Sequence, residues 1–208
     1  MMQQRLKDIS DRIENACAFA GRDPDDVTMI AVTKNRNIDQ IKQLIDCGVT
    51  HFGENRVQEA SEKWDALKSD DQTLHMIGAL QSNKVKQASA LFDVLHTLDR
   101  PSLLKEMIKE NWHPSCFIQV NTGHEDQKSG ITPHDLEVFI ASIPFDINGL
   151  MCIPPQDEPA SLHFALLNNL ARHHKAHALS MGMSNDFEAA IKCGATHIRL
   201  GRILFEDS

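Results

Sequence analysis

Lys34 follows the apolar run at positions 29–33, and the polar residues at positions 35–37 come directly after it. The run predicts a buried strand, so one primary amine lies at a strand's carboxyl end, where α/β proteins bind ligands. Desolvation at such an edge disfavours the ammonium form, and a neutral amine can attack an aldehyde or ketone to form a Schiff base. The alternative is a lysine that ends the strand and points to solvent.

A second candidate feature is the segment from Ser180 to Ser184, whose small residues lead into a predicted helix with Ser184 or Asn185 as its N-cap. Free backbone N–H groups and the positive end of the helix dipole favour a phosphate there. Gly201 follows the last predicted strand and allows a close approach to the same point. The alternative is that Ser184 is an ordinary helix cap.

These residues must be positioned by the surrounding elements, and apolar runs alternate with helical patterns along the chain. The predicted strands are Val27–Val32, Thr50–Phe52, Leu74–Ile77, Val94–Thr97, Cys116–Val120, Ile147–Met151, Ala178–Ser180 and His197–Leu200. An amphipathic helix that ends near Gly21 precedes the first strand. The pattern predicts a single-domain α/β fold over residues 1–208, a (β/α)8 TIM-type barrel with an extra N-terminal helix.

The alternative fold is an open Rossmann-type sheet, but no G-x-G-x-x-G motif follows the first strand, so the main sign of dinucleotide binding is missing. In a barrel, phosphate sites are typically formed by the loops after strands seven and eight, which here contain Ser184 and Gly201. On the last strand Arg199 and His197 share one face while Ile198 and Leu200 share the other, and either pair could point inward.

Composition narrows the class of protein. The 208 residues are 41% hydrophobic, enough for one sizeable core. A net charge of −8 without a long Lys/Arg run argues against nucleic acid as a partner. Five scattered cysteines without a C-x-x-C pair, no signal peptide and no segment long enough for a bilayer predict a cytoplasmic protein with no membrane partner. His173, His174 and His177 lack further ligands at metal-site spacing, so no metal is expected.

An amine and a phosphate site at one barrel mouth describe a ligand with both an aldehyde and a phosphate, and pyridoxal 5′-phosphate (PLP) meets this description. The segments AVTK, HFGENRVQE, HMIGALQSNK, HTLDR, QKSG, GLM, LSMGMSNDFEAAI and RLG occur in the order and approximate spacing of the YggS/PROSC family. From the first helix to Phe205, the chain resembles this family of PLP homeostasis proteins.

The resemblance implies a barrel similar to the N-terminal domain of alanine racemase, with Lys34 holding PLP as an internal aldimine. It also implies that Asn55 lies beside the ring, that Met151 is an apolar contact near it, and that Arg199 faces the pyridine nitrogen. The phosphate would be bound by hydroxyl and backbone N–H groups of Ser180, Gly182, Ser184, Gly201 and Arg202.

Some positions depart from the family pattern or have open roles. Many relatives have Thr at position 202, so either the backbone N–H of Arg202 serves there or its guanidinium replaces the hydroxyl. Lys84 and Lys128 could take part in cofactor transfer, fix loops or be plain surface lysines. Glu54 and Glu59 are interpreted as helix-face carboxylates beside Arg56 and Lys63 rather than as acid-base groups.

The resemblance implies a non-catalytic protein, most simply a monomer, that stores PLP and releases it to apo-enzymes. Arg199 beside the pyridine nitrogen would keep it unprotonated and weaken the ring as an electron sink. The chain contains no tyrosine, so a two-base racemase that uses Lys and Tyr cannot be built from it. Two alternatives stay open: a lysine Schiff-base enzyme (a weak PLP-dependent amino-acid enzyme or a class I aldolase), and a phosphate-ester binder with Lys34 as a countercharge.

Overall fold

The computed structural model describes residues 2–123 and 129–205. Its strands are β1 Thr28–Val32, β2 His51–Glu54, β3 Thr73–Met76, β4 Val94–Leu98, β5 Ser115–Gln119, β6 Gly149–Met151, β7 Ala178–Met183 and β8 His197–Leu200. Each strand pairs in parallel with the next, and β8 pairs with β1 to close the barrel. The predicted (β/α)8 barrel is confirmed, and the open Rossmann-type sheet is wrong.

Helices surround the barrel. They are α1 Met2–Ala20, α2 Ile38–Asp46, α3 Val57–Trp64, α4 Val85–Ser89, α5 Pro101–Lys109, α6 Leu136–Ala141, α7 Ala160–His173, α8 Phe187–Lys192 and α9 Arg202–Phe205. The predicted extra N-terminal helix is α1, which packs against α8 and α9 and ends at Gly21 with φ of 64°. Across the two ranges that the structure describes, no helix is both long enough and apolar enough to cross a membrane.

The main core lies between the barrel and its helices. Phe52, Trp64, Phe164 and Phe187 are fully buried there, and the Phe52 and Trp64 rings pack with centroids 4.8 Å apart. Side chains alternate between the two faces of a strand, so this outer core uses every second strand residue and leaves the others to fill the barrel interior.

One difference from the predicted boundaries bears on the candidate site. Strand β7 continues to Met183, and α8 begins only at Phe187 with Asp186 as its N-cap residue, so the predicted N-cap at Ser184 or Asn185 is wrong. The Met183 N–H donates to Asp186 Oδ1 at 2.6 Å, which holds these residues in a turn before the helix. Gly182, with φ of 95°, gives the strand its local irregularity.

Candidate functional site

A cleft of about 680 Å³ opens at the carboxyl ends of the strands, a volume typical of small-molecule sites. Six residues selected from the sequence line it: Lys34, Asn55, Ser184, Arg199, Gly201 and Arg202. The apolar part of the wall includes Val32, Ile77 and the segment from Ile153 to Pro155. The cleft therefore combines one lysine amine and two guanidinium groups with the carboxyl groups of Glu158 and Asp186 and an apolar wall.

Lys34 lies two residues beyond the end of β1, in a turn, and its side chain is exposed. The predicted desolvation of its amine is therefore wrong, because the residue stands at the rim of the cleft instead of inside the strand edge. Asn35 follows with φ of 58°, a left-handed conformation that asparagine tolerates better than most residues. The chain thus reverses direction directly after the amine.

Thr33, directly before Lys34, is fully buried and anchored through both its side chain and its carbonyl group. Its Oγ1 donates to Glu54 Oε1 at 2.7 Å, and Lys63 Nζ donates to its carbonyl oxygen at 2.9 Å. Lys63 Nζ also lies 2.6 Å from Glu54 Oε1, and both side chains of this ion pair are buried. Glu54 is a strand residue inside the fold, so its interpretation as a helix-face carboxylate is wrong.

Glu59 holds the other side of the same turn. Its Oε1 accepts a hydrogen bond from the Asn35 N–H at 2.5 Å and another from Lys63 Nζ at 2.9 Å. These bonds lower the pKa of Glu59, although partial burial opposes the shift. Unlike Glu54, Glu59 does form the helix-face pair with Lys63 that the i, i+4 spacing suggests. The residues on both sides of Lys34 are therefore attached to α3.

Arg199 is 4% exposed and its guanidinium is held by two hydrogen bonds. Nη1 donates to Ser180 Oγ at 2.6 Å, and Nη2 donates to the Cys152 carbonyl oxygen at 3.0 Å. Burial lowers the pKa of Arg199, but a guanidinium remains charged at neutral pH. Arg199 and His197 are the pair on β8 that points into the barrel. Alternation along the strand had left open whether this pair or Ile198 and Leu200 would do so.

The loops after β7 and β8 meet at one side of the cleft. The backbone N–H of Ile203, in α9, donates to Ser184 Oγ at 3.5 Å, which links the loop after β7 to the helix that follows β8. A Cβ at position 201 would lie 3.4 Å from the Val32 Cβ, an ordinary van der Waals contact, so the chain here lies against β1 with room for a small side chain. Arg202 is exposed and adds positive charge on this side of the cleft.

Ser180 and Met151 are brought close to the cleft but do not line it. Ser180 is fully buried, and its hydroxyl is occupied by Arg199 and by His96 Nδ1, 2.8 Å away. Met151 is fully buried in a small apolar cluster with Val94 and Phe117 inside the barrel. Both positions are inside the barrel because they lie on the strands themselves, below the loops that form the mouth.

Gly182 also stays outside the cleft lining. It is buried, and a Cβ on this residue would lie 2.6 Å from the Ala190 Cβ and 3.0 Å from the Phe187 Cα. Its absent side chain lets β7 pack closely against α8. Of the two lysines with open roles, Lys84 ends a 3₁₀ turn outside the cleft, and Lys128 lies outside the described residues.

Histidines inside the barrel are the feature that was not predicted. His51 Nδ1 lies 3.0 Å from His75 Nε2, and His75 Nδ1 lies 2.8 Å from His96 Nε2. Burial is the main cause that lowers the pKa of His75 and His96 well below the usual value, and it lowers that of His197 to about 4. In the sequence, the available sign of these buried histidines was a single histidine within an otherwise apolar predicted strand.

Within residues 2–123 and 129–205, no cluster of three or more His, Cys, Asp or Glu side chains could hold a metal ion.

Comparison with known proteins matches residues 5–208 to the family described as alanine racemase, N-terminal domain. The pyridoxal phosphate homeostasis protein of Aquifex aeolicus is 37% identical over 97% of this chain and 96% of its own length. The protein of that name from Escherichia coli K12 is 33% identical over 96% and 94%. This chain belongs to the family of pyridoxal phosphate homeostasis proteins. The resemblance to the YggS/PROSC family that the sequence motifs indicated is thereby confirmed.

Solved structures agree with this family assignment. PipY of Synechococcus elongatus PCC7942 without PLP has a TM-score of 0.83 at 32% identity, over 99% of this chain and all of PipY. The PipY structure with PLP bound has a TM-score of 0.79 at 31% identity, with the same coverage. Alanine racemase from Corynebacterium glutamicum, at 18% identity and a TM-score of 0.69 over 98% of this chain and 61% of that enzyme, shares the fold of the homeostasis-family barrel.

Proposed function

We propose that this protein binds PLP and acts in PLP homeostasis, holding the cofactor covalently through the Lys34 amine. The observation that carries the proposal is one cleft that unites Lys34, the buried Arg199 and the loop after β7, which is linked to α9 after β8. The PLP-bound structure of PipY, which is 31% identical over nearly the whole chain, supports the same ligand.

The residues of the cleft fit the parts of PLP. When bound, PLP would supply an aldehyde that a lysine amine can capture as a Schiff base, and Lys34 is the lysine of the cleft lining. Arg199 offers a fixed donor to a ring nitrogen, and Val32 and Ile77 offer an apolar wall to the ring. Arg202 and the Ser184 hydroxyl offer charge and hydrogen bonding to the phosphate.

We propose that Asn55 lies beside the ring and that Gly201 allows the phosphate to approach the backbone. A side chain at Gly78 would collide with the Asn55 carbonyl group, so this glycine lets the loop after β3 support Asn55. Ser180, Met151 and Gly182 are proposed to act behind the cleft, by supporting Arg199, the barrel interior and α8 respectively.

The protein is proposed to bind PLP without substantial catalytic turnover. Arg199 keeps its charge at neutral pH and is aimed by two hydrogen bonds, so a ring nitrogen that it contacts stays unprotonated and the ring is a weak electron sink. The absence of tyrosine removes the second base of a Lys and Tyr racemase. Residues 1–208 would act as one domain, as a monomer, and pass PLP to apo-enzymes.

A cytoplasmic location is part of the proposal. All five cysteines are unpaired in the structure, and three of them, Cys17, Cys116 and Cys152, are buried. Burial raises the pKa of the Cys116 and Cys152 thiols to about 12, so these two are kept as neutral, unreactive groups. Unpaired thiols of this kind fit a reducing compartment.

The proposal is tested by visible absorption of the protein with PLP, followed by borohydride reduction and peptide mass mapping. We expect an absorption band that is lost in Lys34→Ala and a reduced adduct on the Lys34 peptide. Lys42→Ala is the matched control, because Lys42 is an exposed lysine on α2 outside the cleft. No band, or an adduct spread equally over several lysines, would contradict the proposal.

Two further outcomes would identify the alternatives. Trapping of a phosphorylated keto sugar on Lys34, with no PLP adduct, would indicate a class I aldolase. Multiple turnovers of an amino acid by the PLP-loaded protein, measured as racemisation, transamination or decarboxylation, would contradict the non-catalytic role. We expect neither result.

A further inference from the structure

A chain of hydrogen bonds runs through the barrel from His51 to Arg199. It passes from His51 to His75 (3.0 Å), to His96 (2.8 Å), to the Ser180 hydroxyl (2.8 Å) and to Arg199 Nη1 (2.6 Å). His51 is the partly exposed first residue of β2, at the end of the barrel opposite the cleft. The chain therefore links solvent at the barrel base to the cation in the cleft.

The direction of this chain follows from Arg199, because a guanidinium can only donate hydrogen bonds. The Ser180 oxygen must accept from Arg199, and no third partner for its hydroxyl lies among the described residues, so the hydroxyl donates to His96 Nδ1. His96 then carries its proton on Nε2 and donates to His75, which in turn donates from Nε2 to His51. All three imidazoles are assigned the same neutral tautomer.

The surroundings of the chain keep it neutral. His75 and His96 are 1% and 0% exposed, and the His96 ring stacks on Phe117 with centroids 4.5 Å apart. Burial lowers the pKa of His96 most, and the neighbouring His75 and the cation of Arg199 lower it further. His197 lies beside the chain, 6.0 Å from His96 between ring centroids, but has its own partner, Thr196.

We propose that His96, His75 and His51 are positioning residues for Arg199. They fix the rotation of the Ser180 hydroxyl so that its lone pairs face the guanidinium, which then has one orientation at the cleft. The inference deepens the proposed function and rests on it, since Arg199 is proposed to contact the pyridine nitrogen of PLP. Without His96, the Ser180 hydroxyl can rotate its proton toward Arg199, and the guanidinium loses a fixed acceptor.

The first test needs no ligand. Nitrogen-15 NMR of the histidine side chains at neutral pH should show the Nε2–H tautomer at His51, His75 and His96. The Nη groups of Arg199 should give separate, slowly exchanging signals that merge in His96→Phe. A His96 that carries its proton on Nδ1, a protonated His96, or Arg199 signals that His96→Phe leaves unchanged would overturn the proposal.

The second test is a double-mutant cycle on PLP affinity, measured by absorption titration. His96→Phe should weaken binding by about tenfold, the size expected for losing one hydrogen bond to a charged group. In an Arg199→Leu background the same change should have no further effect, because His96 acts through Arg199. Independent, additive losses would overturn the positioning role. A wild-type protein that binds no PLP would instead refute the proposed function. The NMR test without ligand would still show whether the histidine hydrogen bonds position Arg199.

Matched variants separate positioning from general damage to the core. His197→Phe removes another largely buried histidine from the same interior but leaves the chain whole, so the Arg199 signals should stay separate. His96→Asn keeps an acceptor near the position of Nδ1 and should restore part of the PLP affinity. If His96→Phe does not fold, His75→Phe removes the acceptor of His96 and should loosen Arg199 to a smaller extent. An effect of His197→Phe equal to that of the chain variants would contradict the proposal.

Discussion

Lys63 Nζ donates a hydrogen bond to the carbonyl oxygen of Thr33 at 2.9 Å, so the turn that carries Lys34 is attached to a buried ion pair. Glu54, the acidic partner, lies at the end of β2 and also accepts a bond from Thr33 Oγ1. Its second oxygen, Oε2, is buried and has no partner among the described residues. A cationic Lys63 is therefore what compensates the buried carboxylate, and the position of Lys34 depends on it.

Replacement of Lys63 should be strongly destabilising. Lys63→Met leaves Glu54 buried and unpaired, which should lower the free energy of unfolding by about 3–5 kcal/mol. The double variant Glu54→Leu with Lys63→Met should recover part of that loss, since no charge is then buried alone. Denaturant unfolding measures both changes. Lys68→Met is the control, since it removes a partly exposed pair with Asp93 and a bond to the Leu91 carbonyl oxygen without leaving a fully buried charge, and it should cost less than Lys63→Met.

Stability should fall as the solution is acidified below pH 6.5. Histidines in the unfolded chain have a pKa of about 6.5, whereas burial lowers the folded pKa of His197 to about 4 and those of His75 and His96 well below the usual value. Above pH 6.5 both states are neutral and the full stability is present. As pH falls from 6.5 toward 4, the unfolded chain takes up protons that the folded chain does not, at a cost of up to about 1.4 kcal/mol per pH unit for each histidine.

Denaturant midpoints at several pH values between 7.5 and 4.5 measure this slope. The variant His197→Phe should have a shallower slope than the wild type, because one group is removed from the difference in bound protons. Partial burial raises the pKa values of Glu59 and Glu188, but their hydrogen-bonded and cationic partners lower them by more. These two carboxyl groups therefore affect the pH dependence of stability only at lower pH. A midpoint that does not change over this range would show that the interior histidines titrate as if exposed.

Gly182→Ala should destabilise the protein for two reasons. The residue has φ of 95°, and its new Cβ would lie 2.6 Å from the Ala190 Cβ, so β7 and α8 would have to separate. We expect a loss of roughly 2–4 kcal/mol in the free energy of unfolding, the sum of backbone strain and overpacking. Gly48→Ala is the matched control: φ is 87°, but nothing lies within 4 Å of its Cβ, so only the backbone cost remains. Equal losses in the two variants would show that contact with α8 costs nothing.

Arg202 should contribute to PLP affinity mainly through its charge. Arg202→Thr removes an exposed cation from the cleft, and PLP should bind about threefold more weakly at low ionic strength. The difference should shrink at 1 M salt, where the Debye length is about 3 Å. Titrations at two salt concentrations measure it, with Arg172→Thr on α7 as an exposed control outside the cleft. A loss that is independent of salt would mean that the guanidinium makes a specific, desolvated contact.

Much of the fold could be predicted from local sequence pattern. Short apolar runs separated by helical periodicity predicted eight βα units and the N-terminal helix. A buried parallel strand produces a continuous apolar run in the sequence, whereas a helix with one buried face produces apolar residues at helical spacing. Lys34 and Gly201 were also recognisable, since residues directly after parallel strands share one end of a barrel. Chain order alone therefore brought the main candidates to one mouth.

The remaining features depended on distances between residues far apart in sequence. Whether Arg199 or Leu200 faces inward is decided by the register of β8 against β1 and β7, which alternation along one strand cannot supply. Ser180 is buried because β7 extends past it, and Lys34 is exposed because its turn leaves the barrel edge. His96 meets Ser180 across 84 positions of sequence. Only closure of the barrel creates that contact, because it places side chains of separate strands in one interior.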